Sequence, residues 1–354
     1  MAKATSALSF VPSFFNPKTV GEIRSSDYTA VAAEAERLRG VLGIRPAATD
    51  RLRIALMPID CQIGFCVPGQ PLFVGGRSGT GAVEDTRRLC EFLFREAGAI
   101  TNIYPTMDTH FAFQIFHPAF LVDAADNHPQ PFTQIPLADI ESGKYAVDPN
   151  AAYAVTGSPN GYVQLQKHLV HYARTLSQGG KYSLTVWPYH CMLGGVDHAL
   201  VPALHEAIVY HSLLRHTQVH PQIKGGNPMT ENYSIFKPEV LTAVDGRPIA
   251  QRNTLFMEAL LTHDVVVIAG QAKSHCVAWS IDDFLTELKA KDPKLAEKVY
   301  LLGDASSPVV VPGILDFTDQ ADEAYRRFAS EGMRVVSSAT PIRDWPGIDL
   351  SRLG

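Results

Sequence analysis

The chain has 354 residues, with 31 Lys+Arg against 36 Asp+Glu, a net charge of −5, 46% hydrophobic residues and 19% charged ones. That is an ordinary globular composition, long enough for a sizeable core. No run of Lys/Arg offers a surface for nucleic acid, no stretch nears the roughly 20 apolar residues of a membrane span, and the opening MAKATSALSFVPSFFNP makes a poor secretory signal. The five cysteines (61, 66, 90, 191, 276) form no CxxC pair. They read as reduced thiols of a cytoplasmic protein, any one of which is free to be chemical rather than structural.

Residues 1–50 read as an N-terminal extension, a loose arm with aromatic residues followed by a helical stretch from Ala30 to Leu42. A domain over 51–354 follows. Arg53–Ile59 is a short apolar run, as expected of a strand buried on both faces. Thr80–Ala97 has helical spacing, and Ala99–Tyr104 is a second apolar run. Between about 118 and 180 the alternation breaks into a Pro-, Asp-, Asn- and Gly-rich insert with little periodicity of either kind, as expected of a lid, an oligomer contact or a small subdomain. Ala199–His216 and Thr254–Thr262 read as helices. Asp264–Ala269 is the strongest strand signal, followed by a helix from about Ser274 to Lys289, a strand at Val299–Gly303, a helix near Gln320–Ser330 and a strand at Met333–Val336. Strands alternating with helices predict an α/β fold, a three-layer α/β/α arrangement around a mainly parallel sheet. Such sheets carry their chemistry beyond the carboxyl ends of the strands.

Cys276 follows the strongest strand through Gly270, in QAKSHCVAW, which places a thiol in the first turn of a helix. Free backbone N–H groups there favour a thiolate and can stabilise an oxyanion; a small buried core cysteine is the bland alternative. Asp60 ends the first strand, placed either to act as a base or to cap the next turn. Lys224 ends a short apolar segment and, alone, reads as a solvated lysine. Asp108 and His110, at i and i+2, point the same way in extended backbone, as two metal ligands require, although 13 histidines make such a pair common by chance. His117 and His190 complete the candidates. Gly75–Gly81 is Gly-rich but lacks the Lys-Ser/Thr of a phosphate loop.

Taken in order, these segments resemble the isochorismatase-like cysteine hydrolases, most closely the nicotinamidase branch. The resemblance rests on Asp60-x-Gln62-x-x-Phe65, Asp108-x-His110, Trp187-Pro-x-His190-Cys191, Lys224-Gly225, Tyr233-Ser234-x-Phe236 and Gly270-x-Ala272-x-x-x-Cys276-Val277. It spans roughly residues 52–118 and 182–340 and omits the extension and the insert. It implies Cys276 as nucleophile, Asp60 as its general base and Lys224 as the third member, lowering the thiol's pKa. It further implies an oxyanion hole from the N–H groups of Ala272 and Cys276, and a cis peptide between Gln271 and Ala272. Asp108, His110 and His190 would bind a divalent metal, zinc most often, with iron or manganese as alternatives. His117 is a candidate fourth ligand, one residue later than the family's usual position. Phe65, Trp187 and Tyr233 would wall the substrate pocket.

The expected activity is hydrolysis of a small carboxamide to acid and ammonia through a cysteine thioester, with nicotinamide as the leading substrate. The alternatives are a larger or different amide, of N-carbamoyl or maleamate type, and a catalytically silent metal-binding homologue. The expected partners are the small-molecule substrate and further copies of the chain in a homo-oligomer, with no nucleic acid and no membrane. The insert joins two of the metal-bearing segments and is expected near the pocket mouth.

Overall fold

The computed structural model describes residues 11–179 and 182–353; positions 1–10 of the expected arm lie outside it. Its centre is a five-stranded, wholly parallel sheet in the order Arg334–Val336, Val299–Leu302, Val265–Gly270, Ile54–Ile59, Asn102–Ile103. Every residue of Ile54–Ile59, Val265–Gly270 and Val299–Leu302 is buried, which explains why these runs are continuously apolar rather than alternating. Two groups of helices supply the cover. Tyr28–Leu42, Gly81–Glu96 and Pro202–Arg215 pack together, and Ala278–Lys291 packs on Thr318–Ser330. The expected α/β fold with a parallel sheet and flanking helices is therefore the observed one. No helix among the described residues is long and apolar enough to cross a membrane.

One further pair of strands matters most for the site. Thr106–Asp108 runs parallel to Gln222–Lys224, in a register that sets Asp108 directly opposite Lys224. The Asp60 N–H donates to the Thr106 carbonyl at 3.2 Å. This short pair is thereby joined to the carboxyl end of the Ile54–Ile59 strand. Asp60, Asp108 and Lys224, far apart in sequence, arrive at one edge.

The insert differs from expectation. It contains helices Leu137–Glu141, Pro149–Thr156 and the 18-residue Gly161–Gln178. The last buries Leu165, His168, Leu169, Tyr172, Ala173 and Leu176. That is helical spacing, but a histidine and a tyrosine occupy inward positions, so apolar periodicity alone is weak. Helix Tyr28–Leu42 of the extension starts at its Asp27 cap, whose side chain accepts from the Ala30 N–H, and ends at Gly43 in left-handed conformation with φ 63°.

Candidate active site

The turn after the Ile54–Ile59 strand places Asp60, fully buried and with φ 46°. Asp is among the few residues that adopt this left-handed backbone readily. Its Oδ1 accepts from the Thr106 hydroxyl at 2.5 Å, and its own N–H donates to the Thr106 Oγ1 at 3.0 Å. Gln62, two residues on, clamps the neighbouring strand. Its Nε2 donates to the Asp108 and His198 carbonyls at 2.8 Å each, and its Oε1 accepts from the Asp108 N–H at 2.7 Å. This explains why Gln62 accompanies the two aspartates.

Lys224 joins the parts. Its Nζ lies 2.9 Å from Asp60 Oδ2, 2.9 Å from Asp108 Oδ1, 2.8 Å from the Asn232 carbonyl and 3.5 Å from Cys276 Sγ. Burial works against its charge, but the carboxylates of Asp108 and Asp60 outweigh it and hold the ammonium well above its ordinary pKa. Asp60 is pushed up by burial, against the pull of Lys224. Burial likewise drives the Cys276 thiol up, assisted by Asp60 and Asp108 and opposed by Lys224. The expectation of a depressed thiol pKa is therefore corrected: Lys224 pulls in the expected direction, but burial wins, and the resting group is the thiol. The ligand atoms of Asp60, Asp108 and Cys276 lie within 4.8 Å of one another, but the Lys224 ammonium occupies the space between them and rules out a cation there.

Asp108, His110 and His190 form a second cluster, all buried, their ligand atoms within 4.8 Å. Nε2 of His110 is 2.8 Å and Nε2 of His190 is 3.6 Å from Asp108 Oδ2. Each ring is oriented through its other nitrogen, by the Gly225 carbonyl at 3.4 Å and the Pro188 carbonyl at 2.7 Å respectively. Two imidazoles and one carboxylate with outer partners fixing the rings suit a divalent metal. Gly225, at φ 93°, is required here, because a Cβ would stand 2.5 Å from Asp108 Oδ1 and 2.9 Å from His110 Cε1. His117 lies outside this trio, its ring 5.8 Å from that of His110 and 6.3 Å from that of His190. Its Nδ1 faces the Ala112 carbonyl at 3.3 Å, while its Nε2 is buried without a partner, and burial pushes its pKa down to about 3.

A pocket opens between the clusters, lined by Phe65, Leu72, Val74, Asp108, Trp187, His190, Glu231, Tyr233, Ala272, His275, Cys276 and Val309. Phe65, Trp187 and Tyr233 stand on its wall as the sequence suggested; Phe65 meets His190 edge-on at 5.4 Å, and Trp187 Nε1 donates to Tyr233 Oη at 3.0 Å. Ala272 and Cys276 sit at the start of the turn after the Val265–Gly270 strand, and the Gln271–Ala272 peptide is cis. No residue between 119 and 179 lines the pocket among those described. The insert instead braces the wall from behind, with His168 Nε2 against the Met229 carbonyl at 2.7 Å and His171 Nε2 against the Thr242 carbonyl at 3.0 Å.

Sequence reasoning missed Leu72, Val74, Glu231, His275 and Val309. Glu231 is buried, its Oε1 accepts from the Asn232 N–H at 2.8 Å, and desolvation pushes its pKa to about 7. Only its place seven residues after Lys224 marked it. His275 had a stronger signal, since it adjoins Cys276.

Fold and site together define a parallel α/β protein with a buried Cys–Asp–Lys cluster beside an Asp–His–His cluster whose donor atoms could hold a metal ion. The chain matches no protein-family model and no curated protein. Among solved structures it is similar to the Acinetobacter baumanii nicotinamidase/pyrazinamidase, at 23% identity over 81% of this chain and 97% of that one, with a TM-score of 0.46. It is also similar to the yeast nicotinamidase bound to the inhibitor nicotinaldehyde, at 16% identity over 80% and 99% with a TM-score of 0.48. A third is the Pyrococcus horikoshii pyrazinamidase in complex with zinc, at 17% identity over 80% and 99% with a TM-score of 0.41.

Proposed function

We propose that the chain is a cysteine amidohydrolase of the isochorismatase-like class, converting a small carboxamide, nicotinamide first among them, to its acid and ammonia. The observation that supports this reading is the contact set of Lys224, which holds Asp60, Asp108 and the Cys276 thiol around one buried ammonium.

The chemistry follows from these groups. The Cys276 thiol is protonated at rest, and Asp60, whose proton affinity burial raises, takes that proton as sulfur attacks the amide carbon. The N–H groups of Ala272 and Cys276 face the oxygen on which negative charge develops. Collapse breaks the C–N bond, and Asp60 returns its proton to the departing nitrogen, which leaves as ammonia. Water then attacks the thioester with Asp60 again as base, releasing the acid and restoring the thiol. Lys224 keeps its charge throughout, so that Asp60 is ionised when a proton must be accepted. A divalent cation held by Asp108, His110 and His190 would supply a Lewis-acid anchor for a donor atom of the substrate. Phe65, Trp187 and Tyr233 form flat apolar walls suited to a planar ring.

The test is ammonia release from nicotinamide by metal-loaded protein, with Cys276→Ala as control. Release that disappears in the variant is the expected result. Absence of release from folded, loaded protein refutes nicotinamide as substrate and directs the search to larger amides. Release that survives in the variant refutes the thiol mechanism.

A further inference from the structure

Gln271 follows the apolar Val265–Gly270 strand with an amide side chain and is itself only 1% exposed. A buried amide is costly unless it is hydrogen-bonded, and here both of its ends are engaged. Its Nε2 donates to Asp85 Oδ2 at 2.9 Å and its Oε1 accepts from the Ser307 N–H at 3.3 Å. Its backbone N–H donates to the Ile59 carbonyl at 2.8 Å, and the Lys273 N–H donates to the Ser307 carbonyl at 2.8 Å. The peptide unit that carries the Ala272 N–H is therefore held on both sides. Asp85 holds it from the helix layer.

Asp85 lies one turn into Gly81–Glu96, is 3% exposed, and is used by no step of the proposed chemistry. Its Oδ1 accepts from Arg88 Nη2 at 2.8 Å, which balances the charge toward the surface and leaves Oδ2 for Gln271. The Gly-rich Gly75–Gly81 segment lets this helix approach. A Cβ on Gly81 would stand 2.4 Å from Ser307 Oγ and 2.8 Å from Ser307 Cβ. A side chain there would push the helix, and Asp85 with it, away from Ser307 and Gln271. A leucine at position 271 would continue the apolar run with no need of a carboxylate. A buried carboxylate and amide, each satisfied by the other, specify one orientation instead.

We infer that Asp85 is a positioning residue for the oxyanion donors, acting through Gln271 to aim the Ala272 N–H. The role rests on the amidohydrolase reading, in which that N–H meets the charge developing on the amide oxygen. Such donors work by being oriented before the reaction, and the groups behind them fix that orientation.

The experiment compares two reactions of the Cys276 thiol in the full chain. p-Nitrophenyl acetate acylates it through a tetrahedral oxyanion: the S–C bond forms, the ester C–O bond breaks, p-nitrophenolate leaves and Asp60 takes the thiol proton. Iodoacetamide alkylates the same sulfur by displacing iodide, with no oxyanion. Each rate is taken as the part lost in Cys276→Ala. The ratio of acylation to alkylation then reads the oxyanion donors and cancels changes in thiol ionisation. Asp85→Ala should lower this ratio about tenfold, less than outright removal of an oxyanion donor, and Gln271→Met by a similar factor. The double variant should lose no more than about twofold beyond the weaker single variant, because both act on one element. Arg88→Ala, which removes the ion pair and leaves Gln271 its acceptor, should stay within about twofold of the wild type. Should Asp85→Ala not fold, Gln271→Met, of like size, carries the same prediction. Where nicotinamide is cleaved, the loss should appear in kcat, with KM within about twofold.

An unchanged ratio, additive losses in the double variant, an equal loss in Arg88→Ala or a loss carried by KM alone overturns the inference. So does a wild-type thiol that is alkylated and not acylated. No carboxamide enters the ratio, so failure to cleave nicotinamide leaves it readable. A thiol that reacts with neither reagent refutes the cysteine mechanism, and this role with it.

Discussion

With its ammonium 2.9 Å from both Asp60 and Asp108, Lys224 cannot be shortened without leaving two buried carboxylates facing each other. Lys224→Met should therefore lower stability by about 3–5 kcal/mol, the usual cost of removing one partner from a buried ionic set, read from the urea midpoint. The acid limb of activity belongs to Asp60. Because burial raises its pKa and only its ionised form accepts the thiol proton, kcat/KM should fall, as pH is lowered, at a pH above the ordinary aspartate value of about 3.9. Asp60→Asn should remove that limb together with a factor of about 10²–10⁴ in kcat. The main actors were legible because each ends or follows a strongly patterned strand: Asp60 after IALMPI, Cys276 after VVVIAG. Glu231 and His275 were not, because a buried polar side chain leaves no periodic trace. Their roles depend on what faces them across the pocket.

The strands and their flanking helices were readable for the same reason, since continuous apolar runs and amphipathic helices follow from burial on two faces or one. Where inward positions are polar that logic weakens, and Gly161–Gln178 is the instance. His168 and Tyr172 point inward and conceal the helix, while His168 hydrogen-bonds the Met229 carbonyl two residues before Glu231. The insert is thus a brace for the pocket wall, and none of its described residues between 119 and 179 lines the pocket itself. His168→Ala should raise KM with a smaller effect on kcat, because it loosens Glu231–Tyr233 and leaves the Lys224 cluster in place. Its cost in stability should be about 1–3 kcal/mol. Steady-state kinetics and denaturation together check both.

Across the whole molecule the extension is integrated into the body. Phe14 and Phe15 pack on Phe94, and Arg24 holds the buried Glu206 through two contacts of 2.5 and 2.6 Å. Helix Tyr28–Leu42 lies against Pro202–Arg215 and buries Val31, Ala35 and Leu38 completely or nearly so. Leu38→Ala should cost about 2–5 kcal/mol in global unfolding, measurable by urea, whereas a detachable arm would show no such loss. The far end of the chain is secured likewise: Trp345 stacks on Phe92 at 5.7 Å and on Tyr300 at 5.0 Å.

The register that sets Asp108 opposite Lys224 has a thermodynamic corollary. One carboxylate serves two neighbours: its Oδ1 meets the lysine, its Oδ2 the histidines. A cation bound beside Oδ2 adds positive charge near the thiol and neutralises an anion that disfavours the thiolate. Cation binding and thiol ionisation are consequently reciprocal. The downward displacement of the Cys276 titration midpoint on zinc loading should equal, as a ratio of equilibrium constants, the gain in zinc affinity on going from thiol to thiolate. Thiol titration with and without zinc, set against zinc affinity across pH, tests that equality.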